Sequence, residues 1–181
     1  MRALVTTLQQ SYFKEYGKIC FEDMIDEKER LPEALSTAFQ SRLQKIPDPW
    51  LAGRDLWRDS PFLRELLLKK IAPIGIDLLH KEGLRLLADQ KLPQNGSERT
   101  TMEMLFGFQP VLLVVGVQEA VTFYHPSMPI PCKEHYLIAY GNEKSYYLQK
   151  KSDPANHLLK QQGYVFGETL RGATHPMVYF H

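Results

Sequence analysis

The change of pattern at Gly83 constrains this chain more than any other feature. Before it, apolar residues recur at helical three-and-four spacing; after it they come in short β-rich runs separated by Pro, Gly, Asn and Asp. Across residues 6–16, Leu8, Tyr12, Phe13 and Tyr16 keep helical spacing, and Gly17 suits the left-handed residue that follows a helix end. Residues 18–21 read as a short strand. A charged stretch from Asp26 runs into Leu31, Leu35, Ala38, Phe39 and Leu43, a second amphipathic helix. Pro47, Pro49 and Gly53 interrupt it. Ser60-Pro61 then has the form of an N-cap followed by proline at the first helical position, opening a helix over residues 62–80 that Pro73 and Gly75 are expected to divide.

Beyond Gly83 the patterning predicts strands at residues 84–90, within 102–117, and at 120–124, 135–140, 145–149, 164–166 and 177–180, with a turn at 93–97. Helices first and then many short strands imply an α+β protein, with a jelly-roll (double-stranded β-helix) barrel behind an N-terminal helical layer. At roughly 100–200 residues per domain, the 181 residues make a single domain, 1–82 mainly helical and 83–181 mainly strand.

Charge and cysteine usage exclude several functions. Lys and Arg number 22 against 21 Asp and Glu, a net charge of +1, without the basic excess of a nucleic-acid binder. Cys20 and Cys132 lie outside any Cys-x-x-Cys spacing, which argues against a disulfide scaffold or a Cys-rich zinc site and makes a reducing cytoplasm the expected location. The most apolar run, Val111 to Val117, is far shorter than the ~20 residues of a membrane helix. A soluble protein with no membrane partner is expected, and a small-molecule ligand stays open.

Three segments carry a family resemblance. In residues 13–26 a helix, Gly17, an apolar strand and a new helix follow in order; residues 78–93 lead from the long helix through Gly83 into the first strand; residues 163–173 run from Gly163 through Arg171 to Gly172-Ala173. Together they resemble phytanoyl-CoA dioxygenase-like proteins of the Fe(II)/2-oxoglutarate-dependent oxygenase superfamily. The resemblance implies a jelly roll whose mouth holds Fe(II) between two histidines and one carboxylate, leaving open positions for 2-oxoglutarate and dioxygen. A His-x-Asp or His-x-Glu pair serves because residues two apart on a strand share a face. Carried over residue by residue, that pair falls at Thr101-Met102-Glu103 and the distal histidine at Arg171, so Thr101 and Arg171 stand at substituted ligand positions and Glu103 keeps the carboxylate. A register shift of four residues brings in His175, making Glu103 and His175 the metal-ligand candidates. The arginine that holds 2-oxoglutarate in the family is expected past the distal ligand, and the sequence ends at His181. The resemblance therefore implies weak or lost oxygenase activity, with Fe(II) and 2-oxoglutarate as the inherited cofactors and the Arg171 guanidinium replacing the metal's charge opposite Glu103. The alternatives are a non-catalytic ligand- or partner-binding protein on the same fold, and a divalent-metal-responsive regulator built on the histidines.

Other candidates have competing readings. His80-Lys81-Glu82 is a literal His-x-Glu, but it sits where a helix dipole favours histidine and where Gly83 supplies a cap. Glu103, between Met102 and Met104, either points outward from an alternating strand or faces the barrel mouth. His125, next to Pro126, reads as a loop residue or a substitute ligand, and His175 with His181 makes an incomplete metal pair. Cys132 is a half-buried thiol, or a nucleophile with His125 or His135. Tyr146 and Tyr147 beside Lys144, Lys150 and Lys151 form a lysine-protected strand edge or a base-stacking platform.

Overall fold

Thr6 starts the first helix. Its side chain accepts from the Gln9 amide, and the Gln9 side chain returns to the Thr6 backbone, before α1 (Thr7–Tyr16) runs to Gly17, which is left-handed at φ 68° and donates to the Phe13 carbonyl at 2.8 Å. The computed structural model describes residues 4–24, 30–92, 109–116, 120–130, 136–151 and 153–179. In α1 the buried residue is Phe13, whereas Leu8, Tyr12 and Tyr16, which share its helical spacing, are exposed. Strand β1 (Lys18–Glu22) follows, then α2 (Arg30–Leu43), α3 (Pro49–Ala52) and a 3-10 turn (Leu56–Arg58).

The long helix is not divided as the sequence suggested. Ser60 caps α4 (Pro61–Glu65) by accepting from the Leu63 amide at 3.3 Å, and the chain stays helical through a π turn (Leu66–Ile71) into α5 (Ala72–Leu79). Pro73 has no N–H, and its ring crowds the carbonyl four residues back. The wider turn, in which Ala72 donates to Leu67 five residues earlier, accommodates it. Gly75 has a packing role: a Cβ there would lie 2.5 Å from Leu112 Cδ2 and 3.1 Å from Leu84 Cδ1, so its absence lets α5 lie directly on the sheet. His80 ends α5 and itself adopts the left-handed conformation (φ 49°) that the sequence assigned to Gly83, which instead begins the next strand.

The strands β2 (Gly83–Lys91), β3 (Leu112–Gly116), β4 (Ala120–Tyr124), β5 (Tyr136–Gly141) and β6 (Met177–Tyr179) join β1 in one antiparallel sheet of order β1-β4-β3-β5-β2-β6. Among the described residues this sheet is open. Strands expected at 145–149 and 164–166 reduce to a bridge between Tyr146 and Thr169 with flanking bonds from Tyr147 N to Glu168 O and Leu170 N to Ser145 O. Gly167, at φ 87°, and the turn closed by Glu168 N on Val165 O fold that stretch back before it can extend. The fold is thus a mixed helix and antiparallel-sheet structure with two apolar layers. The helices cover one face through Leu63, Leu67, Ile76, Leu84, Leu86 and Phe123. The other face, with Leu87, Leu113 and Leu137, is covered by residues 145–170, including α6 (Leu158–Gln161), through Tyr147, Tyr164 and Leu170. Thr101, Glu103, Cys132, His135, His181 and the turn at 93–97 lie outside the described residues. No helix among those described is long and apolar enough to cross a membrane.

The α5 contact has a direct test. Gly75→Val should destabilise the protein by about 1–3 kcal/mol through overpacking, and adding Leu112→Ala should give a double variant less destabilised than the sum of the two changes. Urea unfolding reads both; additive losses would show that the glycine does not serve this contact.

Candidate functional site

Strand β2 is buried from Leu84 to Gln90, yet it carries Arg85, Asp89 and Gln90. A register shift against β5 between Leu86 and Ala88 changes which face each residue meets. Leu84 and Leu86 enter the helical-side core, Leu87 and Ala88 both enter the opposite layer, and Asp89 returns to the helical side. Gln90 then meets Arg54 and the Trp50 carbonyl, from the segment that precedes the long helix.

Arg54 organises that end. Residues 53–55 lie along the edge of β2 beyond β6: Lys91 donates to Gly53 O at 2.9 Å, Asp55 donates to Asp89 O at 2.9 Å, and Arg54 bridges Gln90. A Cβ at Gly53 would stand 2.4 Å from the Lys91 carbonyl, so this approach requires glycine. The Arg54 guanidinium donates from Nε to Gln90 Oε1 at 2.8 Å and from Nη2 to Asp153 Oδ1 at 2.8 Å, with Nη1 reaching Asp153 Oδ2 at 3.4 Å. Both side chains are at most 4% exposed. Gln90 Nε2 serves the Trp50 and Lys91 carbonyls, and Asp153 Oδ1 also accepts from the Ala155 amide. This two-pronged geometry, with further hydrogen bonds, offsets the desolvation that makes a buried ion pair costly. The adjoining cavity, lined by Arg54, Tyr147, Asp153 and Asn156, measures about 10 Å³ and has room for about one water.

On the helical side, Asp89 accepts from the Tyr136 hydroxyl and from the Trp57 amide at 3.2 Å, and is fully buried. Burial, then the negative charge of Asp55, pushes its carboxyl up to about 8, against the hydrogen bonds and the Arg42 charge that favour ionisation. Asp55 is itself constrained: it is left-handed at φ 57°, pairs with Arg58 at 3.2 Å, and leaves Oδ1 buried without a hydrogen bond.

His175 is the sequence candidate that the structure describes in most detail. Its side chain is buried, Nδ1 lies 3.0 Å from Thr174 Oγ1 and 3.3 Å from the Tyr164 hydroxyl, and Arg85 Nη1 donates to its carbonyl at 2.7 Å. Burial, with the positive charges of Arg58 and Arg85 and against the negative charge of Asp55, lowers its pKa to about 4. The imidazole is therefore neutral at physiological pH. Arg171 is close in sequence but differs in setting: it is half exposed, stacks over the Tyr164 ring at 4.3 Å, and lies 3.6 Å from Glu168. The guanidinium expected to face Glu103 thus has an acidic neighbour of its own, while Glu103 and Thr101 lie outside the described residues.

His80 and His125 border the same groove as Gly17 and Lys14, and both are exposed; His125 Nδ1 meets Ser127 Oγ at 2.7 Å, as the loop reading anticipates. No group of three or more His, Cys, Asp or Glu side chains among the described residues could hold a metal ion. The family's Fe(II) with 2-oxoglutarate does not fit those residues: His175 is enclosed beside two guanidinium charges, and the layer beyond β2 is filled by Tyr147, Tyr164, Leu159 and Leu170. Sequence reasoning missed Arg54, Asp89, Gln90 and Asp153. A usable signal was present in β2, where charged and amide side chains interrupt an apolar strand.

No protein-family model and no curated protein matches the chain. Solved structures do. The non-heme alpha-ketoglutarate dependent carbocyclase SnoK from nogalamycin biosynthesis aligns over 97% of this chain and 97% of its own, with TM-score 0.63 and 14% identity. The epimerase SnoN, solved with Fe3+, alpha-ketoglutarate and nogalamycin RO, aligns over 94% of this chain and 97% of its own at TM-score 0.59 and 15% identity. CT296 from Chlamydia trachomatis aligns over 78% of this chain and 98% of its own at TM-score 0.53 and 16% identity. At these identities the likeness establishes a fold shared with alpha-ketoglutarate dependent enzymes.

The two buried networks predict distinct behaviour. Arg54→Ala or Asp153→Ala alone should cost about 3–5 kcal/mol by leaving a buried charge unpaired, whereas the double change Arg54→Met with Asp153→Leu should cost far less. Arg171→Ala, at a solvent-exposed pair, should cost about 0–1 kcal/mol. Denaturant titration separates these outcomes, and equal losses for the single and double variants would contradict the buried-pair account.

For pH, Asp89 has a folded pKa raised from 3.8 to about 8, so its stabilisation is complete below pH 4 and is lost as pH rises toward 8. His175, lowered from 6.5 to about 4, gives stability that rises with pH between 4 and 6.5. The two slopes oppose each other below pH 6.5 and leave a net fall between 6.5 and 8. Asp89→Asn, which keeps an acceptor for Tyr136 and Trp57, should abolish that fall and expose the His175 rise. A variant curve parallel to the parent would refute the assignment.

Proposed function

We propose that this chain is a ligand- or partner-binding protein on the jelly-roll type of fold used by 2-oxoglutarate-dependent oxygenases, with catalysis weak or lost. One observation carries the reading: the layer between the sheet and residues 145–170 is occupied by the protein's own side chains. Tyr147, Tyr164, Leu159 and Leu170 pack there, and the Arg54–Asp153 pair closes one end around a space for about one water. Small-molecule sites of this kind ordinarily need ~300 Å³ or more. The net charge of +1 supports a protein or small-molecule partner over nucleic acid.

A second reading, a working Fe(II) site using Glu103 and His175, is favoured by the neutral imidazole of His175, the protonation state that ligates metals. It would bring this chain closer to the activities named for SnoK and SnoN. The positive charges of Arg58 and Arg85 beside His175 weigh against it.

The deciding measurement is succinate release from 2-oxoglutarate with Fe(II) and ascorbate. The expected rate does not exceed the enzyme-free background. Iron-dependent succinate that disappears in Glu103→Ala would overturn the binding-protein reading in favour of the second; loss on replacing His80 and Glu82 by alanine would place the metal at the end of α5 instead. Thr101→His with Arg171→His should create Ni(II) binding absent from the parent if those positions correspond to the family's ligands.

A further inference from the structure

Strand β1 ends the sheet, and among the described residues its hydrogen-bonded neighbour is β4. The direction of its backbone groups follows from one bond: His125 N donates to Gly17 O at 2.7 Å, continuing the register in which Lys18 faces Tyr124. Since backbone groups alternate along an antiparallel strand, Ile19 and Phe21 turn their N–H and C=O toward β4. Those of Lys18, Cys20 and Glu22 point away from the sheet. The side chains of the same three residues are exposed, whereas Ile19 and Phe21 pack into the helical-side core. Left-handed Gly17 and Asp23 bracket the strand, limiting the open edge to these five residues.

This edge is self-complementary. We propose that it pairs antiparallel with the same edge of a second copy of this chain, about a twofold axis through Cys20. In that register Lys18 faces Glu22 of the second copy, Cys20 faces Cys20, and Glu22 faces Lys18. All three are hydrogen-bonded positions, so each outward N–H and C=O gains a partner, and the two sheets become one. The charge order decides the direction: parallel in-register pairing would set Lys18 on Lys18 and Glu22 on Glu22, whereas the antiparallel arrangement makes two opposite-charge pairs. The axis is normal to the sheet, so both α1 helices stay on its helical face. These helices carry the exposed stripe of Leu8, Tyr12 and Tyr16, which are 79%, 47% and 51% exposed. A five-residue ladder is small beside the ~800 Å² per partner of a standard interface, so the dimer should be concentration-dependent, with a dissociation constant on the order of 10 μM.

The experiment uses the full chain with Cys132→Ser, leaving Cys20 as the sole thiol. Sedimentation equilibrium should show the mass rising from 21.0 kDa toward twice that value with concentration, and a short bismaleimide linker, which spans the wider separation of a hydrogen-bonded pair, should cross-link the dimer through Cys20. Cys20→Pro removes an N–H that points out of the sheet, so the β1–β4 ladder survives; this variant should stay monomeric with an unchanged circular dichroism spectrum. Lys18→Glu should weaken association about tenfold, and Lys18→Glu with Glu22→Lys should restore it, which guards against a variant that merely misfolds. A monomer at all concentrations up to about 1 mM, where a contact with a 10 μM constant would be nearly saturated, would overturn the proposal. So would a dimer that survives Cys20→Pro, or one whose Cys20 thiols do not cross-link, since either would place the contact elsewhere.

Discussion

The ion pair between Arg54 and Asp153 ties together parts of the chain that are far apart in sequence. One partner belongs to the short segment before the long helix and the other to the segment that covers the opposite face of the sheet, and Gln90 of β2 completes the contact. Charges this buried are tolerated because almost every donor and acceptor nearby is used: Asp153 takes the Ala155 amide, and Gln90 serves two carbonyls. The covering segment has little regular structure of its own, with one four-residue helix and one β-bridge, so its position depends on this pair and on the tyrosines packed beneath it.

The bulge in β2 is the second constraint. A strand buried on both faces cannot hold a carboxylate at an arbitrary position, since the group must meet donors or become neutral. By inserting one residue between Leu86 and Ala88, the strand delivers Asp89 to Tyr136 and Trp57 on the helical side and Gln90 to Arg54 on the other. The electrostatic consequences extend to the sheet edge, where burial, reinforced by Arg58 and Arg85, holds His175 neutral against the opposing charge of Asp55.

These arrangements bear on how a fold shared with SnoK and SnoN is used here. A facial iron site needs imidazoles and a carboxylate converging on an open position. Among the described residues of this chain, the layer between the sheet and its covering segment is filled by tyrosines and leucines, with the Arg54–Asp153 pair at one end. A surface that recognises a partner makes fewer demands: an exposed strand edge with ordered charges is sufficient.

Local patterning was enough to read the helical first half, the strands β1, β2, β4, β5 and β6, the Ser60 cap and the Gly17 stop, because each depends on side-chain period or on a backbone preference expressed within a few residues. The Pro73 break was misread because a π turn, supported by Tyr140 donating to the Leu67 carbonyl, absorbs the proline, and Tyr140 lies 73 residues away. His80 took the left-handed position in place of Gly83 because Gly83 was claimed by pairing with β6. For the candidate site, His175 was legible as a residue type but its burial between arginines was not. The Arg54–Asp153 pair spans 99 positions and leaves no periodic trace. Sequence by itself determined most of the helices and strands, since those preferences are local, but at 145–149 and 164–166 the same strand-forming residues ended in one bridge between Tyr146 and Thr169. Tertiary structure alone decided which charges meet, because burial and pairing arise only when distant segments are brought to the two faces of one sheet.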